Sequence, residues 1–338
     1  MSAAKIKGSL LEYLVRRILT NCGFTKVTPD GKYIFEDRGL NFIHGKGAAH
    51  DADVLMNPPI QIPFSYPYRI NFECKANSQK TGLSILRNAL GLRYDINEFE
   101  ILTEEQLVLR QNQRRHLSAV ADRIRYNYQI GVASVEDYTK NAFEFAANNK
   151  IPLISLRWFL DTAACDLFHE ITDAYLNRIF NDEHQKKLLR FLKGNNRFED
   201  FFTIETESHI KTIIQSFRRF ENRVIIGLLE SGDMVFLISE TDIDFNYFMA
   251  HRVLNGQYHY SINENSTFWE IEINNHLRLH FYLPDRIVNL WREQNYNAQT
   301  ALALKQRWFF KMFIFFGNNY NDSFRIVNID QEWLERII

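Results

Sequence analysis

The sequence predicts an α/β unit over residues 1–160 followed by a separate α+β unit over 161–338. Three observations carry this. Residues 128–134, 135–148 and 151–156 read as strand, helix and strand with short links, the pattern of a right-handed parallel crossover. The composition shifts after Arg157, where 158–192 is helical and amphipathic and the chain from Val224 onward is rich in hairpin signals. The length of 338 residues suits two domains of ordinary size.

Taken in order, residues 5–21 form an amphipathic helix with Leu11, Leu14, Val15, Ile18 and Leu19 as its apolar stripe. Glu12 lies at the edge of that stripe. It reads either as a solvated glutamate or as a carboxylate that reaches a neighbouring sheet. Residues 24–43 are a strand or two with a turn at Pro29-Asp30-Gly31. HGKGAAH, residues 44–50, is a Gly-rich loop without the Lys-Ser/Thr of a phosphate loop; its small residues let backbone and substrate approach closely before Asp53. Residues 57–67 hold four of the seven prolines and must connect strands.

YRINFECKAN, residues 68–77, organises the chain. Strand side chains alternate, so Tyr68, Ile70, Phe72 and Cys74 share one face and Arg69, Asn71, Glu73 and Lys75 the other. A carboxylate and an ammonium side by side in an apolar sheet are costly unless something needs them. Taken alone, the pair also fits a structural ion pair. Upstream, His50-Asp51-Ala52-Asp53 precedes a second apolar strand, 54–56.

Residues 81–94 form a second helix. Residues 98–125 are polar and helical and carry Arg110, Arg114, Arg115, Arg123 and Arg125, either a solvated helix pair or a DNA-facing patch. In the second unit, strands 224–229 and 234–239 flank ESGD, and 258–262 and 268–273 flank NENS. Further strands fall at 277–283, 312–316 and 324–329, with a helix over 286–306.

The net charge of −1 excludes a global basic field, so nucleic-acid contact must come from local patches. Three dispersed cysteines argue against a disulfide framework and a cysteine zinc site. The N-terminus lacks a long apolar h-region, and residues 308–316 are too short to span a bilayer, so a cytoplasmic location is expected. His276 and His280 share a strand face but have no carboxylate pattern of a zinc site beside them. Aromatics interleaved with bases at 217–220 fit either base stacking or the packing of a Phe-rich core.

Residues 8–160 resemble the Mrr-like branch of the PD-(D/E)XK restriction-endonuclease superfamily. The likeness rests on the opening helix with Glu12, on GKGAAHDADVL, on FECKAN with GLSILRNALGL after it, and on IGVASVEDYTKNAFEFAANNKIPLISL. Two features depart from the family's pattern: the longer insert at 98–125 and the doubled aspartate. The resemblance implies a restriction-endonuclease-like central mixed sheet flanked by helices. It also implies a metal-dependent endonuclease that hydrolyses DNA phosphodiester bonds in restriction or anti-phage defence, with Glu12, Asp53, Glu73 and Lys75 as catalytic residues.

Asp53, Glu73 and the backbone carbonyl of Cys74 would be oxygen ligands to Mg²⁺ or Mn²⁺, with Glu12 and Asp51 open as further ligands. Asp53 is preferred to Asp51 because it abuts the apolar strand. Lys75 would orient or deprotonate the attacking water and place a cation near the developing charge. DNA is the expected partner, a homodimer or larger assembly the expected state. Residues 161–338 are expected to serve regulation, assembly or substrate selection through a protein partner or trigger ligand. The alternative readings are a non-catalytic nucleic-acid-binding or scaffold protein that keeps the fold, and a ribonuclease.

Overall fold

A computed structural model describes residues 2–37, 40–61, 65–99, 104–105, 108, 125–194, 208–263, 266–283, 293, 295, 297–315 and 324–336. The chain belongs to the mixed α/β class. The first part is built from α1 (Ala3–Asn21), β1 (Thr25–Lys26), β2 (Ile34–Asp37), β3 (Leu40–His44), β4 (Ala49–Asp51), β5 (Val54–Asn57), β6 (Tyr68–Lys75), α2 (Leu83–Asn97), β7 (Asn127–Ser134), α3 (Lys140–Asn148) and β8 (Leu153–Ser155). A five-stranded mixed sheet runs β1-β5-β6-β7-β8, and β2-β3-β4 form a small second sheet. β5 is antiparallel to β6, while β6, β7 and β8 are mutually parallel.

The alternation of β6 divides two cores. Val54, Met56, Ile70 and Phe72 pack against Ile6, Leu10, Leu14 and Ile18 of α1. On the other face, Leu55, Ile130 and Val132 meet Leu86 and Ala89 of α2 and Ala142 and Ala146 of α3. The turn read at Pro29-Asp30-Gly31 forms because Asp30 Oδ1 accepts from the backbone N–H of Lys32, Tyr33 and Ile34. The helix read over 135–148 is shorter. Tyr138 is drawn into the core, where its hydroxyl donates to the carbonyls of Val132 and Ile154, and the helix starts only after Thr139 caps it.

The helical stretch after Arg157 divides into α4 (Thr162–Glu170), α5 (Asp173–Ile179) and α6 (Asp182–Leu192), each opened by a capping side chain: Asp161, Thr172 and Asn181. With α7 (His209–Arg218) these helices cover α1, and Tyr13 and Phe191 rings meet at 5.1 Å. One apolar core therefore continues from α1 through Phe168 and Ile213 to Ile226 and Phe236.

The remaining chain forms β9 (Val224–Leu229), β10 (Met234–Ile238), α8 (Phe245–Ala250), β11 (Leu254–Asn263), β12 (Ser266–Ile273), β13 (Leu277–Phe281), α9 (Ala298–Phe309), β14 (Lys311–Phe315), β15 (Phe324–Ile329) and α10 (Gln331–Arg336). The expected hairpins are present, but the strands close into a seven-stranded barrel in the order β10-β13-β12-β11-β15-β14-β9. Closure needs β15 to run parallel beside β11 and β14 to pair β9, contacts between strands far apart in sequence. Closing the sheet removes its free edges. Tyr258, Ile271, Phe281 and Phe309 fill the barrel core. The barrel meets the mixed sheet through stacked Trp158 and Tyr282 rings, 4.8 Å apart, and a 2.6 Å Lys150–Asp233 ion pair.

Candidate active site

Asp53, Glu73 and Lys75 meet at the carboxyl end of β6. The antiparallel register sets Val54 opposite Phe72, which brings Asp53 across from Glu73. Asp53 Oδ2 accepts the Cys74 N–H at 2.8 Å, fixing the carboxylate against the strand. Lys75 Nζ donates to Glu73 Oε2 at 3.1 Å. All three side chains line a cavity of about 650 Å³ together with His50, Asp51 and Arg87 of α2. The Cys74 thiol turns the other way, against the α1 core, and burial pushes it well up.

Burial raises the carboxyls of Asp53, Glu12 and Asp51, and neighbouring carboxylates add to the rise. Burial pushes Asp53 up to about 6, with Glu73 and Asp51 adding to the rise. Glu12, on α1, is pushed up to about 7 by burial and then by the charge of Asp53. It neighbours the cluster electrostatically but does not line the cavity. Asp51 is also raised, by burial first, with Lys193 opposing and Glu73 reinforcing. Burial alone would lower Lys75, yet Glu73 and Asp53 hold it above its ordinary value, so it stays an ammonium.

Three contributors were not legible as site residues. Asp95 of α2 holds the Gly-rich loop: it accepts the Gly47 N–H at 2.8 Å and contacts His50 Nε2 at 2.6 Å. A Cβ on Gly45 would lie 2.0 Å from Asp95 Oδ2, so the glycine serves this close approach. Arg16 is one helical turn beyond Glu12 and donates to the Leu192 carbonyl at 3.4 Å. Lys193, just past α6, lies in the fields of both Glu12 and Asp51. Lys193 belongs to the stretch assigned no chemistry by sequence, and nothing local to KGNN links it to a strand so distant in the chain.

Of the arginines read as a DNA-facing patch, Arg110, Arg114, Arg115 and Arg123 lie outside the described residues. Arg125 donates to the Asn97 carbonyl at 2.8 Å at the end of α2 and does not line the cavity. His276 stacks on Tyr247 at 4.1 Å, and His280 lies 5.5 Å from the Phe268 ring.

Among the described residues, no group of three or more His, Cys, Asp or Glu side chains is gathered at ligating geometry. The donors at the strand end, Asp53 and Glu73, are nevertheless hard carboxylate oxygens lining one cavity, a donor type that suits Mg²⁺ or Mn²⁺ chemically. Among the described residues, no helix is long and apolar enough to cross a membrane.

No family model matches this chain. No curated protein matches it either. Among solved structures, the crystal structure of a protein of unknown function, AF1548, aligns over 63% of this chain and 97% of its own, at 13% identity and a TM-score of 0.34.

Proposed function

We propose that the chain is a metal-dependent endonuclease acting on DNA, with a restriction-endonuclease-like first part of the Mrr-like kind. The observation that supports this most is the meeting of Asp53, Glu73 and Lys75 in one cavity, from two paired strands, with Glu12 coupled to them from α1. Asp53, Glu73 and the Cys74 carbonyl would hold Mg²⁺ or Mn²⁺, which when bound supplies Lewis acidity and charge neutralisation. The chain's own residues then orient the reaction. The Cys74 N–H locks Asp53 in place. Lys75, held as an ammonium, donates to the attacking water or to a phosphate oxygen and stabilises developing negative charge. Arg16 and Lys193 add positive charge on the Glu12 side.

In this reading two protomers pair to cut both strands, which sedimentation tests: a monomer at every concentration that still makes efficient double-strand breaks contradicts it. The barrel part regulates or assembles the enzyme, in a cytoplasmic defence role.

The absence of a three-ligand group among the described residues favours a second reading, a nucleic-acid-binding or scaffold protein that keeps the fold without the chemistry. Metal binding separates the two. The enzyme reading expects Mg²⁺ or Mn²⁺ at about a hundred times its dissociation constant to stabilise the fold by about 2.7 kcal/mol. That rise in melting temperature should vanish in Asp53→Ala. An unchanged melting temperature at high metal favours the scaffold.

A further inference from the structure

α2 forms one wall of the Asp53–Glu73–Lys75 cavity, to which it contributes Arg87, Asn88, Gly91 and Asp95 among others. Two of these residues are not explained by the packing of the helix. Gly91 sits in the interior of the fifteen-residue helix Leu83–Asn97 and is exposed. A glycine there is less favourable than alanine, because the unfolded chain is freer and no side chain helps the helix. A Cβ at Gly91 would meet nothing within 4 Å. Alanine would fit and would favour the helix, so the fold itself does not call for glycine. Gly45 is the opposite case, since there a Cβ would run into Asp95 of the same chain.

Arg87 lies one turn before Gly91, and residues four apart are neighbours on a helix face. It is exposed, and among the described residues nothing engages its guanidinium. The other basic side chains of the cavity are engaged: Lys75 donates to Glu73 at 3.1 Å, and His50 contacts Asp95 at 2.6 Å. Asp51, Asp53, Glu73 and Asp95 make the lining rich in acids, so a polyanion needs a cation that is not already taken. The guanidinium fork matches phosphate oxygens.

We propose that this face of α2 seats the sugar–phosphate backbone of the DNA. Gly91 leaves room for the backbone to press against the helix, and Arg87 takes a phosphate flanking the one that is cut. The proposal rests on the nuclease reading and adds to it the surface that positions the substrate.

The test reads binding rather than cutting. The full chain is titrated onto a fluorescein-labelled DNA duplex in Ca²⁺, an oxygen-seeking cation of looser geometry than Mg²⁺, and a gel confirms that the duplex stays intact. Arg87→Ala should raise Kd by about tenfold, the size of one charge-assisted hydrogen bond. It should also flatten the slope of log Kd against log salt by about 0.9, the loss of one phosphate contact, and Arg87→Lys should restore that slope. Gly91→Ala should raise the melting temperature by about 1–2 °C and yet weaken binding. Gly91→Leu, with a bulkier side chain in the approach, should weaken binding by about tenfold or more. Tighter folding with poorer binding is what a merely structural glycine would not give. Failure of the wild type to bind any duplex sinks the nuclease reading and this seat together. Binding by the wild type that Arg87→Ala and Gly91→Leu leave unchanged overturns the seat and leaves that reading standing. A lower melting temperature in Gly91→Ala shows that packing needs the glycine and overturns its role.

Discussion

The mixed sheet and the barrel are both assembled from apolar strands, but they bury different things. β9 and β10 read VIIGLL and MVFLI and are apolar throughout. β6 reads YRINFECK, buries Arg69 and Asn71, and holds Glu73 and Lys75 at its open end. Among the described residues of the barrel, the buried polar side-chain atoms without a hydrogen bond are the Tyr258 hydroxyl and the Trp269 indole nitrogen, one atom on each large ring. In the sheet, Asn71 leaves both amide atoms unpartnered, two residues below Glu73 on the same face. Packing alone selects none of these β6 residues. On the proposed reading, the residues at the open end of β6 that break the rule of their core, Glu73 and Lys75, are the ones placed at the Asp53–Glu73–Lys75 cavity.

The largest expected effect separates the regions by chemistry. Asp53→Ala or Glu73→Ala should lower DNA cleavage by about 10²–10³-fold, whereas His276→Ala and His280→Ala on the barrel should leave it unchanged. Cleavage rates on a defined duplex read this directly, and equal losses in both regions erase the distinction.

The next effect compares rigidity. A Cβ on Gly131 of β7 would come 2.4 Å from Phe72 Cε1 and within 3 Å of two further atoms of that ring, which has no exposed surface. A Cβ on Gly227 of β9 would come 2.9 Å from Met312 Sδ, the end of a flexible side chain. Gly131→Ala should therefore destabilise by about 3 kcal/mol and Gly227→Ala by about 1 kcal/mol in urea unfolding. Equal costs contradict the claim that the sheet core is the stiffer.

A smaller effect depends on pH. Glu136, just beyond β7, accepts from Arg157 Nε and Nη2 at 2.6 and 2.7 Å and contacts His169 Nε2 at 2.7 Å. Burial pushes its carboxyl up, but Arg157 and His169 outweigh that and hold it below its ordinary 4.5. The folded value thus lies under the unfolded one. The stabilisation is complete above about pH 4.5 and is lost as pH falls through the folded value. Glu136→Gln should flatten this acid limb of the melting curve; identical profiles refute the linkage. The smallest effect is at Asn71. Asn71→Leu removes an amide with no partners and should raise stability by about 1 kcal/mol, seen as a higher melting temperature. A loss instead means that the amide holds a bound water.

Much of the fold follows from local pattern. The strand over 224–229, the one over 324–329 and both barrel hairpins were legible because alternation and turn residues are local signals. Asp53, Glu73 and Lys75 are read as a set from the resemblance of their order, Asp53 then Glu73-x-Lys75, to the PD-(D/E)XK pattern, and they line one cavity. Barrel closure was not legible, since the parallel pairing of β11 with β15 leaves no mark in either strand. Asp95 and Lys193 were missed for the same reason: each acts across a tertiary contact, and a lone aspartate on a helix or a lysine after one has no spacing to betray it.

The most direct measurement incubates plasmid with the full chain in Mg²⁺ or Mn²⁺, with and without EDTA, beside Lys75→Ala. The expected result is cutting by the wild type that EDTA abolishes and that Lys75→Ala loses by about 10²–10³-fold. Cutting that ignores EDTA or persists in Lys75→Ala contradicts the mechanism, and failure to cut any nucleic acid contradicts the assignment.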